Sequence, residues 1–208
     1  MTMSIHTLSR SRRSSGKGFT LVELIVSIAI FAMMTALLVA KYSTFNQSVL
    51  LTNLAYDVAL TVRTAQTYGL SIRAANDTDD AFKYAYGVDF STANNKEMIL
   101  FGTQDDLTFN GEYLPHDFIV SRYSIKRGAS IKSVCVKSTS SGACELNDHV
   151  NITFKRPDPS ANICAYDESP GFIVCDPSFI YADVVLLGSD GSERTVKIRN
   201  NGQVSVLD

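Results

Sequence analysis

The sequence predicts an α+β protein in which one long N-terminal helix packs on an antiparallel β-sheet domain. Three observations predict this class. Residues 19–40 are an almost uninterrupted apolar run, apolar residues at helical spacing continue to about residue 73, and residues 74–208 alternate in short segments between turn residues. The 208 residues, 45% of them hydrophobic, suffice for one domain of ordinary size plus an appendage.

The apolar run 19–40, FTLVELIVSIAIFAMMTALLVA, contains a single charged side chain, that of Glu23. As a helix, the run would reach about 33 Å, enough to cross the hydrocarbon core of a bilayer. Only Lys41 follows it closely, whereas four basic residues precede it: Arg10, Arg12, Arg13 and Lys17. The positive-inside rule therefore predicts a cytoplasmic N-terminus and places everything after residue 41 outside.

A cleaved secretory signal and a plain membrane anchor are the ordinary alternatives. The run is longer than the apolar region of a secretory signal, roughly 7 to 15 residues, and a cut after Ala40 would place Leu38 where a small residue is required. A plain anchor has no use for Glu23, because a carboxylate at a helix centre costs about 2.5–3.5 kcal/mol on insertion scales and less near the interface.

Residues 17–24, KGFTLVEL, stand behind the basic leader at the start of the apolar run. They closely resemble the class III leader of type IV prepilins and type II secretion pseudopilins. The resemblance implies that a prepilin peptidase cuts between Gly18 and Phe19 and methylates the new amine of Phe19. Residues 1–18 are then a cleaved basic leader, 19–40 a transmembrane helix, and Glu23 the fifth residue of the mature chain.

Glu23 then has a physical role in assembly. A mature N-terminus at Phe19 carries an ammonium group that is costly in lipid, and Glu23 carries the opposite charge on a helix of the same sequence. If subunits add with a small axial stagger, the carboxylate of an incoming subunit meets the amine of its neighbour. Such a head-to-tail contact does not close on itself, and it therefore generates an open helical filament.

The helix is predicted to continue beyond the membrane, because after Lys41 no Gly occurs before Gly69 and no Pro before Pro115. One apolar stripe recurs at three- and four-residue spacing: Leu51, Leu54, Ala55, Val58, Val62 and Ala65. Polar residues lie opposite it: Asn53, Asp57, Thr64 and Thr67. Residues 41–73 are therefore predicted to be an amphipathic extracytoplasmic continuation. Many family members have a helix-kinking Pro near the end of the membrane segment, but this chain has Ala40 there and no kink is predicted.

The β-rich domain 74–208 is predicted to be one antiparallel sheet of nine strands: 84–90, 98–101, 118–123, 131–136, 151–155, 171–174, 181–187, 195–199 and 203–206. The sequence Asn200-Asn201-Gly202 predicts a hairpin turn, and Asp190-Gly191 marks another. The stretch 152–157, ITFKRP, together with the Gly202 hairpin, is moderately similar to the H-type minor pseudopilins.

Four cysteines lie in the outer portion of the chain: Cys135, Cys144, Cys164 and Cys175. Their even number and their location favour disulfides, for which three connectivities are possible. Both sequence-local pairs bracket turn-rich loops, and we therefore expect Cys135–Cys144 and Cys164–Cys175. Each bond would contribute about 3 kcal/mol in the chain-entropy model. A zinc site is the alternative, but the sequence has no CxxC pair.

The sequence offers no catalytic constellation. His6 lies in the leader, His116 and His149 are predicted to be surface-loop residues, and no GxSxG, HExxH, GxGxxG or complete P-loop motif occurs. No cofactor is expected, although a loop with three carboxylates, those of Asp77, Asp79 and Asp80, is a candidate for calcium without the EF-hand pattern.

The charge of the chain argues against a nucleic-acid partner. Loss of residues 1–18 removes four of the 19 basic residues and leaves 15 against 21 acidic ones, a formal charge of −6. A mildly acidic body of this kind has no basic surface for nucleic acid.

These observations predict a non-enzymatic structural subunit, a minor pilin or pseudopilin of a type IV pilus or type II secretion filament. Its partners would be other filament subunits, prepilin peptidase, the inner-membrane assembly platform and membrane lipid. It would reside as a single-pass protein in the bacterial inner membrane and then in a periplasmic or cell-surface filament. The alternatives are a main filament subunit and a membrane-anchored extracytoplasmic binding domain or enzyme. Pilus, secretion and DNA-uptake machinery share this assembly chemistry.

Overall fold

A computed structural model describes residues 18–71, 84–104, 113, 117–167 and 172–207. It confirms the α+β class, with one helix, α1 (Leu21–Leu70), followed in these residues by eleven strands. The chain divides into two compact units, the first ending at Ser43 and the second running from Thr44 to Asp208. Residues 21–43 of α1 belong to the first unit and residues 44–70 to the second.

In the second unit, α1 packs through the predicted apolar stripe. Leu51, Ala55, Val58, Val62 and Ala65 are buried, and Leu54 packs on the same core partly exposed. The predicted polar face is exposed at Asn53, Asp57 and Thr67 and half-buried at Thr64. The period of 3.6 residues explains this placement, since residues three and four apart share one side of a helix.

The strands form two antiparallel sheets, and the prediction of a single sheet was wrong. Their bounds are β1 (Tyr84–Ser91), β2 (Glu97–Gln104), β3 (Phe118–Ser124), β4 (Ser130–Ser138), β5 (Glu145–Asn147), β6 (His149–Lys155), β7 (Asp158–Asp167), β8 (Phe172–Cys175), β9 (Phe179–Leu187), β10 (Glu193–Arg199) and β11 (Val204–Leu207). One sheet has the order β3-β2-β1-β6-β7-β8 and the other β11-β10-β9-β4-β5. The division follows from long-range pairing, because β1 pairs with β6 and β4 pairs with β9.

The inner faces of both sheets and the helix stripe share one hydrophobic core. Val88 and Leu100 of the six-stranded sheet belong to the same buried cluster as Val134 and Leu186 of the five-stranded sheet and Val58 of α1. The inner strands of both sheets supply alternate side chains to this core, such as Val150 and Ile152 of β6, as the two-residue period of a strand requires. Burial of this apolar surface is the main favourable term in the folding of the domain.

All nine predicted strands have an observed counterpart, but strands β5 and β7 were missed. The β5 strand has only three residues and two exposed side chains, so that its sequence shows no strand pattern. The β7 strand begins with Asp158 and Pro159, which are turn-forming residues, yet it is hydrogen-bonded between β6 and β8. Asp158 pairs with Lys155 of β6, whereas β8 pairs only with residues 164–167, so that pairing with β6 overrides the weak local preference at this end of β7.

The two turns predicted at Asp190-Gly191 and at Asn200-Asn201-Gly202 are present, one between β9 and β10 and the other between β10 and β11. Gly191 and Gly202 have φ angles of 82° and 81°, a left-handed conformation that glycine adopts without a steric penalty. In the first of these turns, the Oγ of Ser192 donates to Asp190, and this hydrogen bond, followed by that of the Ser192 amide, lowers the pKa of the Asp190 carboxyl.

Gly202 also brings its turn against the helix. Gln66 Nε2 donates to the carbonyl oxygen of Pro159 at 2.9 Å and to that of Gly202 at 3.4 Å. A Cβ atom built on Gly202 would lie only 2.5 Å from Gln66 Nε2. The glycine therefore meets a second requirement, close approach to α1, that the turn pattern alone did not reveal.

Candidate functional site

The start of α1 contains the residues that the leader motif singled out. Gly18 and Phe19 are exposed and precede the helix, and Thr20 is its N-cap. The amide of Leu24 donates to the carbonyl oxygen of Thr20 at 3.1 Å, and the amide of Glu23 donates to Thr20 Oγ1 at 3.2 Å. The hydroxyl of Thr20 thus satisfies one of the four amides that a helix leaves unpaired at its N-terminus.

Glu23 lies in the first turn of the helix, three residues after the cap. Thr20 and Glu23 have the Thr-x-x-Glu spacing of a capping box, and a negative charge here is favourable to the helix dipole. This spacing gives a second reason for a glutamate at position 23, and it is visible in the sequence. Favourable charge at the helix start is therefore separable from the predicted pairing of Glu23 with another subunit.

Gly18 stands in open space. A Cβ atom built on it would meet nothing within 4 Å, and its φ angle is not in the left-handed region. Among the residues that the structure describes, neither packing nor backbone conformation therefore requires a glycine at this position. The cut after Gly18 remains a prediction of the leader motif.

The helical segment after the junction has the properties of a membrane span. Leu21–Val39 has a mean hydropathy of 2.5, and none of it is buried within the chain. Phe19 is 81% exposed, and even Val26, the most covered of the large apolar side chains here, is 51% exposed. This length and composition suit a bilayer crossing, and such a surface requires lipid or other helices to cover it.

Two hydroxyl groups within this segment are satisfied by the helix itself. Ser27 Oγ donates to the carbonyl oxygen of Glu23 at 2.7 Å, and Thr35 Oγ1 donates to that of Phe31 at 2.7 Å. Such bonds remove unpaired donors, which are costly in hydrocarbon. The Glu23 carboxylate is the one charged group between Phe19 and Ala40. It is therefore the polar group of the span that gains most from an external partner.

The cysteines are joined as Cys135–Cys144 and Cys164–Cys175, with Cα atoms 5.6 Å and 4.1 Å apart. The first bond ties the segment before β5 to β4, and the second joins directly opposite residues of β7 and β8. Strands β5 and β8 are edge strands of their sheets. Both bonds therefore anchor short edge strands that have few contacts of their own.

Non-reducing peptide mapping of the protein extracted from membranes tests this pairing. We expect one linked peptide pair that contains Cys135 and Cys144 and another that contains Cys164 and Cys175, because the second unit is proposed to lie in an oxidising compartment. A mapping of the reduced and alkylated protein serves as the control. Free thiols throughout would contradict both the connectivity and the proposed compartment, whereas a crossed pairing would contradict the connectivity alone.

Metal-ligating side chains come together at one place in the described residues. Cys135, Cys144 and Asp183 have ligand atoms within 4.8 Å of one another. Both sulfur atoms form a disulfide, and Asp183 Oδ2 accepts a hydrogen bond from Lys197 Nζ at 3.0 Å. The two sulfur atoms are thus not available as thiolate ligands, and Asp183 Oδ2 is engaged by Lys197. The calcium candidates Asp77, Asp79 and Asp80 lie outside the described residues, as do His6 and His116.

His149 is not a loop residue, and the prediction that placed it in a loop was wrong. It is the first residue of β6 and pairs with Ser91 on β1 and Tyr166 on β7. Its Nε2 lies 3.3 Å from Ser91 Oγ, and its Nδ1 lies 3.7 Å from Asp89 Oδ1. Pairing with β1 on one side and β7 on the other makes His149 part of the strand, although the local sequence predicts a loop there.

Asp89, His149 and Ser91 lie next to one another in the arrangement of an acid–base–nucleophile triad, but their geometry does not support catalysis. Ser91 is 4% exposed, and its Oγ accepts a hydrogen bond from the amide of Asn94 at 3.2 Å. The 3.7 Å from Asp89 to His149 exceeds a hydrogen bond. A serine that is covered and already engaged by a backbone amide cannot reach a substrate carbonyl.

Comparison with protein families identifies the prokaryotic N-terminal methylation motif at residues 13–39. The match covers the end of the basic leader, the Gly18–Phe19 junction, Glu23 and the apolar span, and it does not extend into the second unit. No curated protein and no solved structure matches the chain.

The motif implies processing by prepilin peptidase and assembly with other pilin subunits, and together with the apolar helix it indicates membrane anchoring. Proteins with this leader are typically structural rather than enzymatic. The chain thus carries the prokaryotic N-terminal methylation motif at residues 13–39, and in this segment it is similar to type IV pilins and pseudopilins.

Proposed function

We propose that this protein is a minor pilin or pseudopilin, a structural subunit that assembles through its N-terminal helix into a type IV pilus or type II secretion filament. One observation carries the proposal. Leu21–Val39 is a fully exposed apolar helix whose only charge, Glu23, lies in the first turn, directly behind an unencumbered Gly18–Phe19 junction.

The exposed helix supports assembly because its surface needs covering at every stage. Burial of one large aliphatic side chain is worth about 1.5–3 kcal/mol, and the segment exposes many of them. Lipid covers these side chains before assembly, and the helices of neighbouring subunits cover them in a filament. The Phe19 ammonium and the Glu23 carboxylate then favour filament over lipid, because each group is costly in lipid without the other.

We assign the parts of the chain accordingly. Residues 1–18 are the leader that is removed, 19–40 the transmembrane helix, 41–73 its extracytoplasmic continuation and 74–208 the β-rich domain. The basic leader keeps the N-terminus in the cytoplasm, and the β-rich domain lies outside the inner membrane. The assembly platform and prepilin peptidase are the partners at the membrane.

Processing at Gly18 tests this proposal most directly. The intact mass of the membrane-extracted protein should correspond to a chain that begins at Phe19 and carries one methyl group. Gly18→Leu should remain as the full-length precursor in the inner membrane, because a larger side chain blocks the junction for the peptidase. Gly142→Leu is the matched control, since a side chain at Gly142 also meets nothing within 4 Å, and it should be processed normally.

An unprocessed Met1 chain in cells with active peptidase would contradict the proposal and favour the alternative, a plain membrane-anchored binding domain. A minor subunit is distinguished from a main one by its abundance. We expect the processed protein to be a small fraction of sheared filaments, whereas a main subunit would be their predominant component.

A further inference from the structure

The face of the six-stranded sheet that points away from the hydrophobic core is polar and yet buried. Val88 and Phe90 of β1 belong to the core, and therefore Asp89 and Ser91 between and beside them lie on the other face. Asp89 stands opposite Asn151 of β6, and Ser91 stands opposite His149. Asp89, Ser91 and Asn151 are 7%, 4% and 5% exposed, values more usual for core residues.

These side chains line an open cavity of about 440 Å³ on that face. Glu97 and Arg122 lie at one side and form an ion pair, with Arg122 Nη1 3.0 Å from Glu97 Oε1. The ring of Tyr166 lies at the other side, in edge-to-face contact with His149 at a centroid distance of 5.6 Å. The volume is that of a site for a small ligand or a single protruding side chain.

The carboxylate of Asp89 has an amide and an imidazole beside it in this cavity, and the imidazole, that of His149, is a cation only when it is protonated. The side chain of Asp89 is 10% exposed. The side-chain amide of Asn151 is oriented so that both its nitrogen and its oxygen form hydrogen bonds. Its Nδ2 donates to Asp89 Oδ1 at 2.7 Å, and its Oδ1 accepts from the backbone amide of Tyr113 at 3.0 Å. The imidazole of His149 is 3.7 Å away. Among the described residues, no lysine or arginine pairs with Asp89, and Arg122 is engaged by Glu97.

We propose that this cavity binds a primary ammonium group, with Asp89 as its counter-charge. A buried carboxylate is costly unless a cation pairs with it, an imidazole supplies that charge only when protonated, and the cavity beside Asp89 is open. An ammonium group has three donors for the Asp89 carboxylate and nearby acceptors, and the Tyr166 ring offers an electron-rich surface to a cation. The inference is independent of the N-terminal helix and goes beyond the proposed filament role.

The same chemistry has two sources, a free small amine and the lysine side chain of another protein. A divalent metal is a poorer occupant, because the ligand atoms of Asp89, His149 and Glu97 do not come together as a metal-binding group in the described part of the chain. Two probes separate the sources. These are n-butylammonium, as a free amine, and Nα-acetyl-lysine amide, as a protein lysine.

Isothermal titration of the full processed chain in detergent micelles at low ionic strength tests the proposal. We expect saturable binding of n-butylammonium and no binding of n-butanol, which has the same chain without the charge. Asp89→Asn keeps the shape of the side chain and should weaken n-butylammonium on the order of tenfold or more. Glu145→Gln removes an exposed carboxylate on the other sheet and should leave the affinity unchanged.

If Nα-acetyl-lysine amide binds at least as tightly as n-butylammonium, the occupant is a lysine of a partner protein, and if it binds far more weakly, the occupant is a small amine. Thermal unfolding of the wild-type chain is a second measurement, which does not require the Asp89→Asn variant to fold. We expect n-butylammonium to raise the midpoint temperature of unfolding and n-butanol to leave it unchanged. Absence of saturable binding and of thermal stabilisation in the wild type, or equal affinity in Asp89→Asn, would overturn the proposal.

Discussion

Glu23→Val is expected to accumulate in the membrane as processed, methylated protein and to be missing from sheared filaments. The substitution removes a costly carboxylate from an apolar span, and membrane insertion should therefore be at least as efficient as in the wild type. The cut should also survive, because the peptidase reads mainly the Gly18–Phe19 junction. Assembly should fail, since the Phe19 ammonium of a neighbouring subunit then has no carboxylate to pair with.

Two further variants separate pairing of the Glu23 charge from capping of the helix. Glu23→Gln keeps a side chain that suits the third position of a capping box but removes the charge, and it should fail in assembly as Glu23→Val does. Thr20→Ala removes the hydroxyl that accepts from the Glu23 amide at 3.2 Å, at a cost of about 0.5–2 kcal/mol in helix stability, and should still assemble.

Immunoblots of the membrane and sheared-filament fractions measure the distribution of each variant. Recruitment through the outer domain of other subunits would reduce the size of the Glu23→Val defect. Recovery of Glu23→Val in filaments at the wild-type level would show that this carboxylate does not drive assembly. Assembly of Glu23→Gln together with failure of Thr20→Ala would instead assign position 23 to helix capping.

Gly69→Val is expected to destabilise the second unit by about 3 kcal/mol, the upper part of the range for overpacked sites. Gly69 is buried in the last turn of α1, where a Cβ atom would lie 2.4 Å from the carbonyl oxygen of Phe154 on β6. The obstacle is backbone, which cannot rotate away as a flexible side chain can. The helix must therefore move off the sheet or the chain must unfold.

Urea unfolding of the processed protein, followed by the near-ultraviolet circular dichroism of its tyrosines, measures this effect. Gly142→Val is the matched control, because a Cβ atom at Gly142 meets nothing within 4 Å. Its free energy of unfolding should differ from that of the wild type by no more than about 0.5 kcal/mol. Equal midpoints for the two variants would contradict the close approach of α1 to β6.

Features with a short sequence period or a short motif could be predicted before the structure. The apolar span, the buried stripe from Leu51 to Ala65 and the turns at Gly191 and Gly202 follow from local patterns, since each depends on residues only a few positions apart. The methylation motif at residues 13–39 is likewise local. The cap formed by the Thr20 hydroxyl is equally local, although it was not predicted.

By itself, therefore, the sequence determined the α+β fold class, the apolar helix that is long enough to cross a membrane and the helix face that enters the core. Tertiary structure alone decided that the strands form two sheets, that β7 forms despite Asp158 and Pro159, and that His149 joins a strand. It also brought Asp89 and Asn151 together across β1 and β6, residues 62 positions apart (151 − 89). Pairing between distant strands has no short-range signal, because its energy depends on partners that only the folded chain brings into contact.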